Sequence, residues 1–156
     1  MNMVFAGSFD PVTLGHVEVV RRALPLADTL YVAVMVNPAK QGMFAVEDRL
    51  EMLRRALCGM DVVIETFGGL LVDYCAQRGI GASVRGVRNV GDFEYEQGMA
   101  DVNRALSGLE TVILPSSPAM RSVSSSIARQ LLQLGGDTGA LLPKAVREYI
   151  NEKGLC

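Results

Sequence analysis

Short β-branched runs alternate along the chain with longer segments in which apolar residues recur every three or four positions. Runs at Met3 to Ala6, Thr29 to Val36, Val62 to Thr66, Ala82 to Arg85 and Thr111 to Leu114 predict five strands. The periodic segments between them predict helices over about Leu14 to Ala23, Val46 to Leu57, Leu70 to Gln77, Asp92 to Leu106 and Ser125 to Leu134, with a last one near Lys144 to Lys153. Gly79 and Gly135 stand where helix C-terminal caps are expected. Strand and helix in alternation imply an α/β fold, a doubly wound parallel five-stranded sheet with helices on both faces. No repeat, low-complexity tract or dividing linker interrupts the pattern, so residues 1–156 are expected to form a single domain.

An open parallel sheet binds its ligands beyond the carboxyl ends of its strands, where loops lead into helix N-termini. The polar and glycine-rich stretches fall at those places: GSFDPVTLGH after the first strand, NPAKQG after the second, RGVRNVGDFEYE at the fourth and SSPAMRSVSSS after the fifth. Four segments distant in sequence are therefore expected to meet at one edge.

Composition narrows what meets there. A net charge of −2 gives no general attraction to nucleic acid, so a bound polyanion requires a local cationic cluster. Cys58, Cys75 and Cys156 are odd in number, far apart and outside any CxxC spacing, which indicates neither a disulfide framework nor a zinc site and fits a reducing cytoplasm. The N-terminal MNMVFAGSFD lacks a basic stretch followed by a long apolar run, and nowhere do eighteen apolar residues run together. Neither export nor membrane insertion is expected.

Within Gly7 to His16, glycine is expected to permit close backbone approach, Asp10 and Pro11 to turn the chain, and Thr13 to cap the next helix. Gly15 and His16 then lie in its first turn, where backbone N–H groups and the helix dipole favour an anion. A single histidine can also be purely structural. Further along, Arg85 leaves a buried strand and Arg88 follows it by one turn of loop, so both guanidinium groups can reach a phosphate chain. Asp92 is expected to cap or begin the following helix, with Glu96 one turn on; the alternative is that both arginines pair with Asp92, Glu94 and Glu96 as a solvated ion cluster. Val123 to Ser126, VSSS, offers N-cap hydroxyls and N–H donors together. Lys40 is a lone cation in the loop after the second strand.

Thr13, Leu14, Gly15 and His16 resemble the (H/T)xGH motif that follows the first strand of the Rossmann-like sheet in the nucleotidyltransferase superfamily. Threonine in the first position, together with RGVRNVGDFEYE against an RGxRxxxDFEYE segment and VSSS against (I/V)SSS, is similar to the phosphopantetheine adenylyltransferase family. The resemblance spans nearly the whole chain. It implies adenylyl transfer from ATP to 4'-phosphopantetheine with Mg2+, in a cytoplasmic enzyme that forms homohexamers and is inhibited by coenzyme A. It further implies that His16, Lys40 and Ser8 act on the transferring phosphoryl group. ATP would lie against Gly7, Ser8, Phe9, His16, Gly86, Arg88, Glu96, Val123, Ser124, Ser125 and Ser126, and the acceptor against Ser8, Lys40, Leu71, Arg85, Met99 and Asn103, although Leu71 and Met99 could equally be core. Three departures stand out: Leu14 for the commoner asparagine, Gln41 and Gly42 for a basic or polar residue and proline, and AMRS at Ala119 to Ser122 for the usual aromatic. Met120 or Arg121 would then serve the adenine side. The competing readings are a related enzyme with another acceptor, such as nicotinate mononucleotide or glycerol phosphate, and a catalytically silent nucleotide-binding subunit.

Overall fold

A computed structural model describes residues 1–156. The strands are β1 (Asn2–Gly7), β2 (Leu30–Val36), β3 (Val63–Gly68), β4 (Ile80–Val87) and β5 (Glu110–Pro115). The helices are α1 (Leu14–Ala23), α2 (Val46–Ala56), α3 (Leu71–Arg78), α4 (Val90–Ser107), α5 (Ser125–Gln133) and α6 (Lys144–Lys153). Two short 3-10 turns, Leu24–Leu26 and Pro118–Met120, are additional, and each carries a proline in its first two positions.

The five strands form one parallel sheet in the order β3-β2-β1-β4-β5, so chain direction across the sheet reverses between β1 and β4. A crevice for a ligand is expected at such a switch point. Both faces of the sheet are covered, which is why its central strands read as continuous apolar runs. On one face Val17, Val20, Met52, Leu53, Ala128, Val146 and Ile150 from α1, α2, α5 and α6 pack with Phe5, Val32, Val34 and Val84. On the other, Val72, Tyr74 and Cys75 of α3 pack with Val4, Ala6, Ala33 and Phe67. Val4, Val32, Val34 and Val84 are fully buried, each contributing about 1.5–3 kcal/mol by leaving water. This rigid centre fixes where the ends of β1 and β4 point.

Helix starts explain how the loops are set. Thr13 caps α1 by a reciprocal box in which its hydroxyl accepts from the His16 amide at 3.3 Å while His16 Nδ1 accepts from the Thr13 amide at 3.0 Å. Helix α4 begins earlier than expected. Asn89, in extended conformation, is its N-cap and accepts from the Asp92 amide at 2.9 Å, so Asp92 is the third helical residue and neither caps nor begins the helix. Ser124 caps α5 through the Ile127 amide. Gly79 takes the left-handed conformation that ends α3, and Gly135 takes it just past the end of α5. Helix α4 departs from ordinary amphipathic burial: of its 18 residues only Glu96 is buried, leaving Val90, Phe93, Tyr95, Met99, Val102 and Leu106 exposed.

Candidate active site

Two cavities open at the switch point, one of about 440 Å³ and one of about 470 Å³, both of a size suited to small-molecule ligands. They share Ala6, Gly7, Ser8, Arg85, Tyr95 and Glu96, so the end of β1 and the start of α4 form a common wall. The first is polar and cationic. Its lining comes from the loop after β1 (Ser8, Phe9, Thr13, Gly15, His16), from the end of β4 and the start of α4 (Gly86, Arg88, Asp92), and from α5 and its approach (Met120, Val123, Ser124, Ser125, Ser126, Arg129). The second is apolar, walled by Phe67, Leu70, Leu71, Met99, Val102 and Leu106, with Asn103 and Ser83 among its few polar residues.

His16 is oriented before any ligand arrives. Its ring packs edge-on against Phe9, centroids 5.0 Å apart, and tilts against Phe5 at 5.9 Å. Because Nδ1 accepts from the Thr13 amide, the proton of the neutral ring resides on Nε2, which is left free to donate. Burial lowers the imidazole pKa to about 4, with Arg85 and then Arg88 pushing the same way. At neutral pH the ring is therefore an uncharged donor.

The arginines are oriented too. Arg85 spends Nε and Nη2 on the Glu96 carboxylate at 2.8 and 2.7 Å, and Nη1 on the Ala6 carbonyl. Arg88 donates from its amide and Nε to Asp92 Oδ2 at 3.0 and 2.9 Å, and from Nη1 to the Val123 carbonyl at 3.4 Å. Both pair with carboxylates, as the ion-cluster alternative has it, but with Glu96 and Asp92 only. Glu94 is exposed and unpaired, and the pairs line a cavity instead of forming a solvated cluster. Fork-to-fork pairing leaves Arg85 two of its five N–H donors unspent.

Arg129 on α5 joins them, and sequence reasoning did not select it. Its Nη1 donates to the Asp10 carbonyl at 2.7 Å and its Nη2 to Ser126 Oγ at 3.2 Å, both neutral partners. The cavity thus holds three guanidinium groups against two carboxylates, with the N-terminus of α5 facing the same space. An anion is the complementary guest. Tyr95, 67% exposed and common to both cavities, was also not singled out. Its place in the DFEYE segment, one residue before Glu96, was the signal available.

Other expected residues fall as follows. Leu71, Met99 and Asn103 line the apolar cavity; Met99 is exposed there, whereas Leu71 is half-buried and also packs against the core face that holds Phe67 and Tyr74. Of the two candidates for the missing aromatic, Met120 lines the cationic cavity, whereas Arg121 is exposed and does not. Lys40 lines neither cavity: it is exposed in the loop after β2, so three of the four polar segments converge there and NPAKQG stays outside. No close contact within the protein itself requires glycine at position 7. A Cβ at Gly7 would meet only the Phe9 ring at 3.5 Å, an ordinary contact, whereas one at Gly86 would meet Val19 Cγ2 at 2.7 Å. Unusual backbone in that loop belongs instead to Phe9, with φ of 45°, a conformation that costs a bulky residue about 1–2 kcal/mol and that close packing on Phe5 and His16 sustains.

Known proteins resemble the chain over nearly its whole length. Residues 4–131 match the cytidylyltransferase-like family model, a span that takes in every segment lining the cationic cavity. A protein of Streptomyces coelicolor named phosphopantetheine adenylyltransferase is 46% identical over 96% of this chain and 95% of its own length. The chain belongs to the phosphopantetheine adenylyltransferase family. Members from Thermobifida fusca and Cutibacterium acnes are 43% and 42% identical, over 97% and 98% of this chain and 93% and 98% of theirs. Because these phosphopantetheine adenylyltransferases align nearly end to end, the resemblance drawn from three short motifs extends to the whole chain.

Proposed function

We propose that the protein transfers the adenylyl group of ATP to 4'-phosphopantetheine, giving dephospho-coenzyme A and pyrophosphate. The observation that carries this reading is the junction of an anion-seeking cavity with an apolar one along Ser8, Arg85 and Glu96. A nucleoside triphosphate suits the first, and the uncharged arm of the acceptor suits the second. The acceptor's phosphate then meets the α-phosphate of ATP at the common wall.

An ionised phosphate monoester is already a nucleophile near neutral pH, so the reaction needs alignment and donors more than a base. One acceptor oxygen attacks the α-phosphorus, the bond to the β-bridging oxygen breaks in line, and pyrophosphate departs with the electron pair. In this reading the Nε2–H of neutral His16 donates to an α-phosphoryl oxygen, joined by Ser8 and by Lys40 when its loop closes. Arg88, Ser125, Ser126 and the α5 N-terminus hold the β- and γ-phosphates. Arg85, spanning both cavities, receives the acceptor phosphate, while Gly86, Glu96, Val123 and Met120 bound the nucleoside side.

Magnesium is expected with the triphosphate, whose charge it neutralises. The residues here do not build a cage for it: no group of three acidic, histidine or cysteine side chains is assembled, and Asp92 and Glu96 are spent on arginines. Mg2+ would therefore be held by phosphate oxygens and water. We further propose a homohexamer in the cytoplasm with coenzyme A as inhibitor; Val90 and Phe93, exposed apolar residues of α4 that line neither cavity, support self-association, and no helix is long and apolar enough to cross a membrane. The test is formation of dephospho-coenzyme A from ATP and 4'-phosphopantetheine with and without Mg2+, alongside nicotinate mononucleotide and glycerol phosphate. Pyrophosphate release with only another acceptor, or ATP binding without turnover on any, would replace the proposal.

A further inference from the structure

Asp10 is buried, yet its carboxylate serves nothing in its own loop. Oδ2 accepts from the Met43 amide at 2.7 Å and Oδ1 from the Phe44 amide at 2.9 Å, partners 33 and 34 residues away. These two amides close the same loop that carries Lys40, and Phe44 is itself buried beside the core. Gly42 lies directly on the carboxylate, where a Cβ would come within 3.0 Å of Oδ2 and 3.3 Å of the Phe44 carbonyl. The main-chain carbonyl of Asp10 meanwhile accepts from Arg129, and the neighbouring Pro11 carbonyl accepts from Ser125 Oγ at 2.8 Å. Asp10 thus joins the loop after β1, the loop after β2 and the middle of α5.

We propose that Asp10 is a positioning residue for Lys40: its carboxylate fixes the far end of the loop after β2, so that this mobile cation is held within reach of the phosphates bound beside His16. From the Met43 anchor back to Lys40 is three residues, a span of at most about 10 Å, and the lysine side chain extends from there. Without the anchor, Lys40 would be free to sample a wide arc in solvent. An ionised carboxylate gripping two backbone N–H groups makes a stronger tether than an amide, which offers only one acceptor oxygen. Gly42 is needed because any side chain there would lift the loop off that carboxylate. The inference rests on adenylyl transfer as the activity.

The experiment is a double-mutant cycle on the full-length enzyme, with ATP and 4'-phosphopantetheine as substrates, accompanied by hydrogen exchange at the Met43 and Phe44 amides. Asp10→Asn is expected to lower kcat by about tenfold and to speed exchange at both amides, whereas in a Lys40→Ala background it should change kcat less than about twofold. An equal loss in both backgrounds, or undiminished kcat with both amides freed, overturns the inference. If Asp10→Asn does not fold, Gly42→Ala serves, since it displaces the loop without altering the carboxylate, and the same loss and the same dependence on Lys40 are expected. Should the unaltered enzyme make no dephospho-coenzyme A, the proposed activity itself has failed, an outcome distinct from absence of coupling.

Discussion

His16 is the only histidine of the chain, so its titration can be followed without ambiguity. Protonating the ring would cost the bond from the Thr13 amide to Nδ1 and would place a charge in a desolvated site beside Arg85 and Arg88. The folded-state pKa is therefore expected near 4, against 6.5 in the unfolded chain. The sign follows from proton uptake: between these values the unfolded state binds more protons, so folding stability is full above 6.5 and falls as pH drops towards 4. The shift amounts to roughly 3 kcal/mol lost over that window, at about 1.4 kcal/mol per unit. Proton NMR of the single imidazole Cε1–H should give a midpoint near 4, and urea unfolding of His16→Gln should lack this part of the acid-side loss. A midpoint between 6 and 7 would refute the reasoning that the half-buried ring is a desolvated, neutral donor.

Arg88→Ala should raise the KM for ATP by about tenfold or more, the scale of one charge-assisted hydrogen bond, with a smaller effect on kcat. An unchanged KM in steady-state assays would remove Arg88 from the triphosphate. Glu96→Ala strips Arg85 of a two-bond partner; because the Arg85 side chain is 30% exposed, the stability loss should be near 2 kcal/mol, below the full cost of breaking a buried pair. Thermal unfolding would then shift down by about 5 °C, and an unaltered Tm would show that the pair contributes nothing. Thr111 Oγ1 is buried at the apolar cavity without a partner, so Thr111→Val should be neutral or stabilising by up to about 1 kcal/mol in chemical denaturation. A clear loss of stability would reveal a bond that the hydroxyl makes.

The strands and helices were legible because burial on both faces of the sheet leaves unbroken apolar runs, and because the α1 cap is a local contact from Thr13 to His16. The start of α4 was less so: Asn89 and Asp92 are both of residue types that favour the N-cap and stand three positions apart, and the extended backbone at Asn89 decides between them. What the sequence concealed was long-range. Arg129 reaches Asp10 across 119 positions and Asp10 reaches Phe44 across 34, and no periodicity encodes either contact. Nor does local pattern reveal that the bulky Phe9, flanked by glycine two residues away, takes the positive φ. Lys40 is the opposite case: its motif suggests a site residue, while the loop that carries it lies outside both cavities, and no local pattern says how far that loop stands from them.

Turnover by His16→Ala at saturating ATP and 4'-phosphopantetheine, with circular dichroism as the check on folding, tests the role of the imidazole most directly. Loss of one aligned transition-state donor predicts a kcat lower by about a hundredfold or more in a folded protein. Dephospho-coenzyme A formed at the rate of the unaltered enzyme would contradict it.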